Sequence, residues 1–197
     1  MNFSRRAALF LAFALPVGAA SGVSSQTTLV LPDGGSVTLE LAQALTLQVR
    51  TPTPGLLLFT IDDPGGARDR GSIRVVVKGA GARTRPESVV AEASTGPTAA
   101  ASNGVWLERS QDGISVYQIR TPVNVQELRV FKAADGVLVG VRPVAPGSSM
   151  SVAERRYKDV LEVIYQASRE LDASPQELDR YVLDYLAANI DIVRKTR

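Results

Sequence analysis

"SVAERRYKDVLEVIYQASREL", residues 151–171, carries the punctuation of a helix, and its reading sets the balance of helix to sheet. Ser151-Val-Ala-Glu154 has the capping-box form. In that form a hydroxyl accepts from the N3 amide while the Glu carboxylate reaches back to the N-cap amide. Tyr157, Val160, Leu161, Ile164 and Leu171 follow at helical spacing,. The pattern predicts a long helix over 152–171. Ser174-Pro-Gln-Glu177 repeats the box and predicts a final helix over 175–192. That helix would place Leu178, Tyr181, Val182, Tyr185, Leu186 and Ile190 on one stripe,. Thr84-Arg-Pro-Glu87 opens a short helix over 85–94.

The rest of the chain reads as strands. Asp-Gly turns at Asp33-Gly34, Asp112-Gly113 and Asp135-Gly136 sit between β-rich runs, the strongest short-range hairpin signal,. Further strands fit "LTLQVR", "LLLFTI" and "SIRVVV". "VLVGV" (137–141) is apolar on both faces, as a strand covered on both sides must be,. "TPTPG", "GPTAAASNG" and "PVAPGSSM" are loops, and no internal repeat is evident. The expected fold is an α+β domain. It has an antiparallel sheet built from hairpins, a short helix, a long backing helix and an extra C-terminal helix. Residues 26–150 would hold the sheet and short helix. Residues 151–197 would form a helical hairpin packing on the sheet or extending from it.

The first 25 residues read as a signal peptide. Arg5 and Arg6 form a positive n-region, Ala7 to Val17 an apolar h-region, and Gly18-Ala19-Ala20 a small-residue cleavage site,. The apolar run is too short to span a bilayer. Ser4-Arg5-Arg6 also resembles a twin-arginine signal, with Ala8 where that pattern favours Phe,. The expectation is a periplasmic or secreted protein with no membrane span, cleaved after Ala20 or nearer Gln26.

Composition excludes whole classes of chemistry. The chain has 22 basic and 20 acidic residues. Loss of the leader, with its two arginines, brings the signs into balance. A neutral chain with interspersed charge lacks the footprint of a nucleic-acid binder. With no Cys there are no disulfides, thiolate nucleophiles or Cys-held zinc, and with no His no Ser-His-Asp machinery,. No cofactor or metal is expected. Stability must come from the core, which about 175 residues can supply.

Four stretches are candidate sites. "KGAGARTRPESVVAEAS" (78–94) gathers Lys78, Arg83 and Arg85 at a helix start, where an anion could bind,. It lacks the P-loop spacing, and the glycines equally serve a tight strand-to-helix connection. "IDDPGGARDRG" (61–71) clusters Asp62, Asp63 and Asp69, oxygen ligands suited to Ca²⁺, but Arg68 and Arg70 compete and the spacing is not that of an EF-hand,. Trp106 could anchor a partner or sit in the core. The Leu178, Tyr181 and Tyr185 stripe of the final helix either packs on the sheet or presents itself to a protein partner.

From about Leu29 to Ala167 the order of elements resembles the superfamily of PsbP and the bacterial DcrB-like exported proteins. "SIRVVVKGAGARTRPESVVAEAS" is similar to that family's strand, loop and short helix. "GVWLERSQDGISVYQIR" and "ELRVFKAADGVLVGVRPV" are similar to its paired hairpins, and "YKDVLEVIYQAS" to its closing amphipathic helix. The resemblance implies a binding or assembly factor and supplies no catalytic motif. The helix "SPQELDRYVLDYLAANI" departs from it. The resulting expectation is an exported, noncatalytic protein-binding or accessory factor of an envelope or secretion complex, its oligomeric state open. The alternatives are a carboxylate-dependent hydrolase of an envelope polymer, needing two carboxylates in a cleft, and a Ca²⁺-dependent structural module resting on the acidic loop.

Overall fold

A computed structural model describes residues 24–62, 72–95, 103–145, 147–168 and 174–196. Most of the leader and, apart from Ile61 and Asp62, the acidic loop lie outside them. In chain order the described elements are β1 (Ser25–Val30), β2 (Ser36–Leu41), α1 (Gln43–Thr46), β3 (Leu56–Ile61) and β4 (Ile73–Gly79). Then come α2 (Arg85–Thr95), β5 (Gly104–Gln111), β6 (Ile114–Arg120), β7 (Val125–Lys132) and β8 (Leu138–Pro143). The chain continues with β9 (Met150–Tyr157), β10 (Leu161–Ser168), α3 (Pro175–Asn189) and β11 (Ile190–Thr196).

These strands form two antiparallel sheets. The larger runs β3-β4-β10-β9-β8-β7-β6-β5, and the smaller runs β1-β2-β11. The fold is therefore mostly β, and the expected helix-rich α+β architecture is incorrect. The error lies in 151–171. Residues 151–168 are not a backing helix but the paired strands β9 and β10, in register from Tyr157↔Leu161 to Met150↔Ser168. Ser151, Ala153, Arg155 and Tyr157 are buried, as are Leu161, Val163, Tyr165 and Ala167, while alternate residues in between are mostly half-buried. That is a period of two, and the β-branched and aromatic content of Val160, Val163, Ile164 and Tyr165 favours it. The connecting turn holds Lys158 at φ 47° and Asp159 at φ 60°, positive values that a sequence without Gly does not advertise,. The stretch 157–168, likened above to a closing helix, is thus a turn and a strand.

Other expectations fare differently. All three Asp-Gly hairpins form, joining β1–β2, β5–β6 and β7–β8. Only Asp112 shares positive φ with its glycine. Asp33 and Asp135 instead use their carboxylates to accept the amides of Gly35 and Val137, at 3.0 and 3.2 Å,. "LTLQVR" is not a strand. It holds the end of α1, a turn, and Arg50 in an isolated bridge to Leu58. The final helix forms, but it ends at Asn189, where Ile190 begins β11. The Ser174 hydroxyl makes no cap hydrogen bond, so Pro175 in the first turn marks that start instead,.

One face of the large sheet carries the main core. Phe59, Val75, Val139, Ala153, Leu161 and Tyr165 meet Leu29, Leu39 and Leu45 from the small-sheet region and Leu178, Val182 and Leu186 from α3. A Cβ on Gly79 would fall 2.7 Å from the Val30 carbonyl oxygen, so β1 passes directly over the end of β4,. A buried charge network fixes α3 to the sheet. Arg155, fully buried, donates to Asp179 of α3 and to Asp135 in the β7–β8 turn. The Tyr165 hydroxyl donates to the other Asp179 oxygen at 2.9 Å. Burial pushes the Asp179 carboxyl above its ordinary value, while Arg155 and Tyr165 pull it back,.

Candidate functional site

The second face of the large sheet is divided. Its β5–β8 half is closed by α2, where Val89 packs with Val105, Tyr117, Leu128 and Val130. α2 is only 11 residues long, and beyond it the side chains of β9, β10, β4 and β3 face outward with less cover from the described residues. The pairing registers align those side chains in transverse rows. Leu58, Val76 and Ile164 lie side by side, with Arg50 bridged to Leu58 at the outer end. Thr60, Arg74, Gln166 and Val152 form the next row. Leu58, Val76, Val152 and Ile164 are all half-buried, and Arg50, Thr60 and Arg74 exposed.

Residues 47–50 wall this floor. Reciprocal 2.8 Å backbone hydrogen bonds between Arg50 and Leu58 hold the wall against β3. Leu47 stands at the rim, 83% exposed. Together these residues enclose a concavity of about 870 Å³, with Asp62 at its margin. Neither Arg50 nor Arg74 has an ion-pair partner among the described residues. Half-buried aliphatics beside unpaired guanidinium groups are what a mixed polar and apolar ligand surface requires.

A belt of paired charges separates this concavity from α2. Lys78 donates to Glu162 at 2.9 Å. Arg156 grips Glu87 through Nε and Nη2, at 2.9 and 2.8 Å, and also donates to the carbonyls of Gly81 and Ala82. The hydrogen bonds from Arg156 and the Thr84 amide lower the Glu87 carboxyl to about 2, against an opposing effect of burial,. Burial raises Glu154, aided by the neighbouring Glu162 charge and opposed by the Arg85 amide. Burial and the nearby Arg142 charge lower Arg85.

The proposed anion corner lies inside this belt. The first amides of α2 meet the protein's own carboxylates: Thr84 donates to Glu87 at 2.7 Å and Arg85 to Glu154 at 2.8 Å. The Arg85 guanidinium donates to Gln126 at 2.8 Å. Lys78 and Arg85 are thus engaged internally, and Arg83 is exposed. Glu154 and Glu162, the carboxylates this face brings together, are each tied to a donor of the fold. Leu178 is buried in the main core. Tyr185 stacks on Phe59 with ring centroids 6.1 Å apart, and the Tyr181 hydroxyl donates to the Asp62 carbonyl at 3.0 Å. Trp106 is half-buried on β5 with Arg120 stacked 5.0 Å from its ring.

None of the concavity's residues except Asp62 was singled out by sequence reasoning. Val152, Ile164 and Gln166 were hidden because their strands carry helical signals. Arg74 and Val76 were legible, since "IRVVVK" alternates outward Arg74, Val76 and Lys78 with inward Ile73, Val75 and Val77. Among the described residues no group of three or more carboxylates could hold a metal, and no helix is long and apolar enough to cross a membrane. No protein-family profile, curated protein or solved structure matches the chain.

Proposed function

We propose that this chain is an exported, noncatalytic binding protein, an accessory factor of an envelope or secretion complex. It would hold a protein partner on the uncovered half of its large sheet. The observation that carries this reading is the concavity of about 870 Å³ floored by half-buried Leu58, Val76, Val152 and Ile164. Isolated aliphatics on a surface are ordinary, whereas a contiguous row inside a concave wall favours an occupant. Two-carboxylate hydrolysis fits less well, because Asp62 is the one acid among the described lining residues,.

Export rests on the leader pattern of Arg5-Arg6, the apolar run and the small residues after it. Cleavage after Ala20 would leave β1, which starts at Ser25, intact. Mass spectrometry of envelope protein should find an N-terminus between residues 21 and 27, and an intact Met1 in the cytoplasm would refute export. The binding reading is tested by photo-crosslinking residues placed at Thr60 and Val152, with Leu107 and Val193 as exposed positions elsewhere. Crosslinks to the same partner from the first two and not the last two support the reading. Equal labelling everywhere removes it.

A further inference from the structure

The chemistry of the concavity also describes its occupant, provided that this face is indeed the binding surface. We infer that it takes an extended peptide segment bearing two carboxylates flanking apolar side chains. Arg50 and Arg74 carry the charge complementarity. Both are exposed, both line the concavity, and neither has an ion-pair partner among the described residues. In the belt beside it Lys78, Glu87, Arg156 and Glu162 are all paired, and the one acid among the described lining residues, Asp62, makes no ion pair with either arginine. Guanidinium groups that no described residue pairs, set beside half-buried aliphatics, offer planar forks matched to carboxylates.

The register fixes the spacing. Arg50 lies opposite Leu58 on β3, and Arg74 is paired with Thr60 from the far side of β3. The two arginines are thus two strand spacings and two residues apart, roughly 12 Å between Cα positions at ordinary sheet dimensions. An extended chain advances about 3.3 Å per residue and alternates its side chains between two faces, so carboxylates four residues apart would share a face and reach both. Apolar side chains between and beside them would fall on Leu58, Val76 and Ile164. Thr60 and Gln166 supply hydrogen-bonding groups for the peptide backbone. A concave floor walled by residues 47–50 suits a narrow chain better than a broad lipid surface, although exposed Leu47 and the two arginines share some of that chemistry.

The test uses the full chain as purified and a phage-displayed library of random dodecapeptides. Selected peptides should carry paired Asp or Glu at a separation of four, with aliphatic or aromatic residues around them. Photo-crosslinkers at Thr60 and Val152 should label these peptides. Arg50→Glu with Arg74→Glu should weaken binding by roughly tenfold or more, with little change in melting temperature. Arg109→Glu, on distant β5, should leave binding unchanged. Peptides that crosslink at Thr60 and Val152 but are neutral or basic, or that bind the double variant equally, would overturn the inference and leave the binding reading standing. Peptides that bind without labelling either position, or a library yielding no binder, would remove both. Capture by phosphatidylglycerol vesicles, or concentration-dependent self-association lost in the double variant, would replace the peptide as occupant.

Discussion

The two halves of the large sheet's second face, β5–β8 and β9, β10, β4 and β3, belong to one continuous antiparallel ladder yet end in different states. Under α2, Val105, Tyr117, Leu128 and Val130 are buried in a small second core. On the uncovered half, Leu58, Val76, Val152 and Ile164 stay half-buried, interleaved with Thr60, Arg74 and Gln166. The covered half is stabilised by removal of apolar area from water. The uncovered half retains apolar area while polar neighbours keep it hydrated. Where both occur on one sheet, the covered region supports the fold and the uncovered one is free to spend its surface on a ligand.

Substitutions should separate the halves most sharply in stability. Leu128→Ala opens a cavity under α2 and should cost about 2–5 kcal/mol, whereas half-buried Ile164→Ala should cost about 1. Comparable losses in thermal melts would erase the distinction. Gly140→Ala should come next. A Cβ there would sit 3.1 Å from Pro86 Cβ and 3.2 Å from Leu128 Cδ1, so Pro86 and the Leu128 side chain must give by a few tenths of an ångström, at about 1–3 kcal/mol. No loss in a urea titration would mean that α2 is more loosely seated than its contacts imply.

The belt between the halves responds to pH. Glu87 falls from 4.5 to about 2 in the fold, so its contribution is present above 4.5 and lost as pH drops through 2,. Solvent screening at this half-buried carboxylate limits the contribution to no more than about 1 kcal/mol,. Melting temperature should therefore fall across that window in wild type and fall less in Glu87→Gln. Identical slopes would exclude the clamp as their source. The smallest effect belongs to the uncovered half. Arg50→Gln and Arg74→Gln should each shift stability by less than about 0.5 kcal/mol, because no ion pair among the described residues is lost. A larger drop by calorimetry would make these arginines structural.

What the sequence made legible follows from how local each signal is. Asp-Gly turns are set by a few residues, and the three hairpins form where they occur. α2 forms where Thr84-Arg-Pro-Glu87 opens it, the Thr84 amide donating to Glu87, and α3 forms where the apolar stripe of Leu178, Val182 and Leu186 persists. Residues 151–168 defeated the same reasoning because Ser151-Val-Ala-Glu154 imitates a cap, while Tyr157, Val160, Leu161 and Ile164 satisfy a helical spacing by chance. The deciding influence was non-local: β10 lies between β4 and β9, and that place rewards a period of two,. The concavity was illegible for the same reason, since its floor combines four strands whose adjacency is a product of topology. Buried Arg155 gave no sign in sequence, being an arginine whose partners Asp135 and Asp179 are supplied by the β7–β8 turn and α3.

The small sheet has a kinetic consequence. β2 meets β1 across a short turn, but its other edge is filled by β11, and the Ser36 and Thr196 hydroxyls that close it at 2.6 Å are 160 residues apart in sequence. Contacts of such separation form late, because the intervening chain must first be ordered. Until then β2 offers an edge of unpaired amides and carbonyls, the kind that recruits a strand from another molecule. Refolding followed by pulsed amide exchange should show β11 protected after β4, β9 and β10. The yield of native protein would then depend on how quickly α3 docks and delivers that last strand.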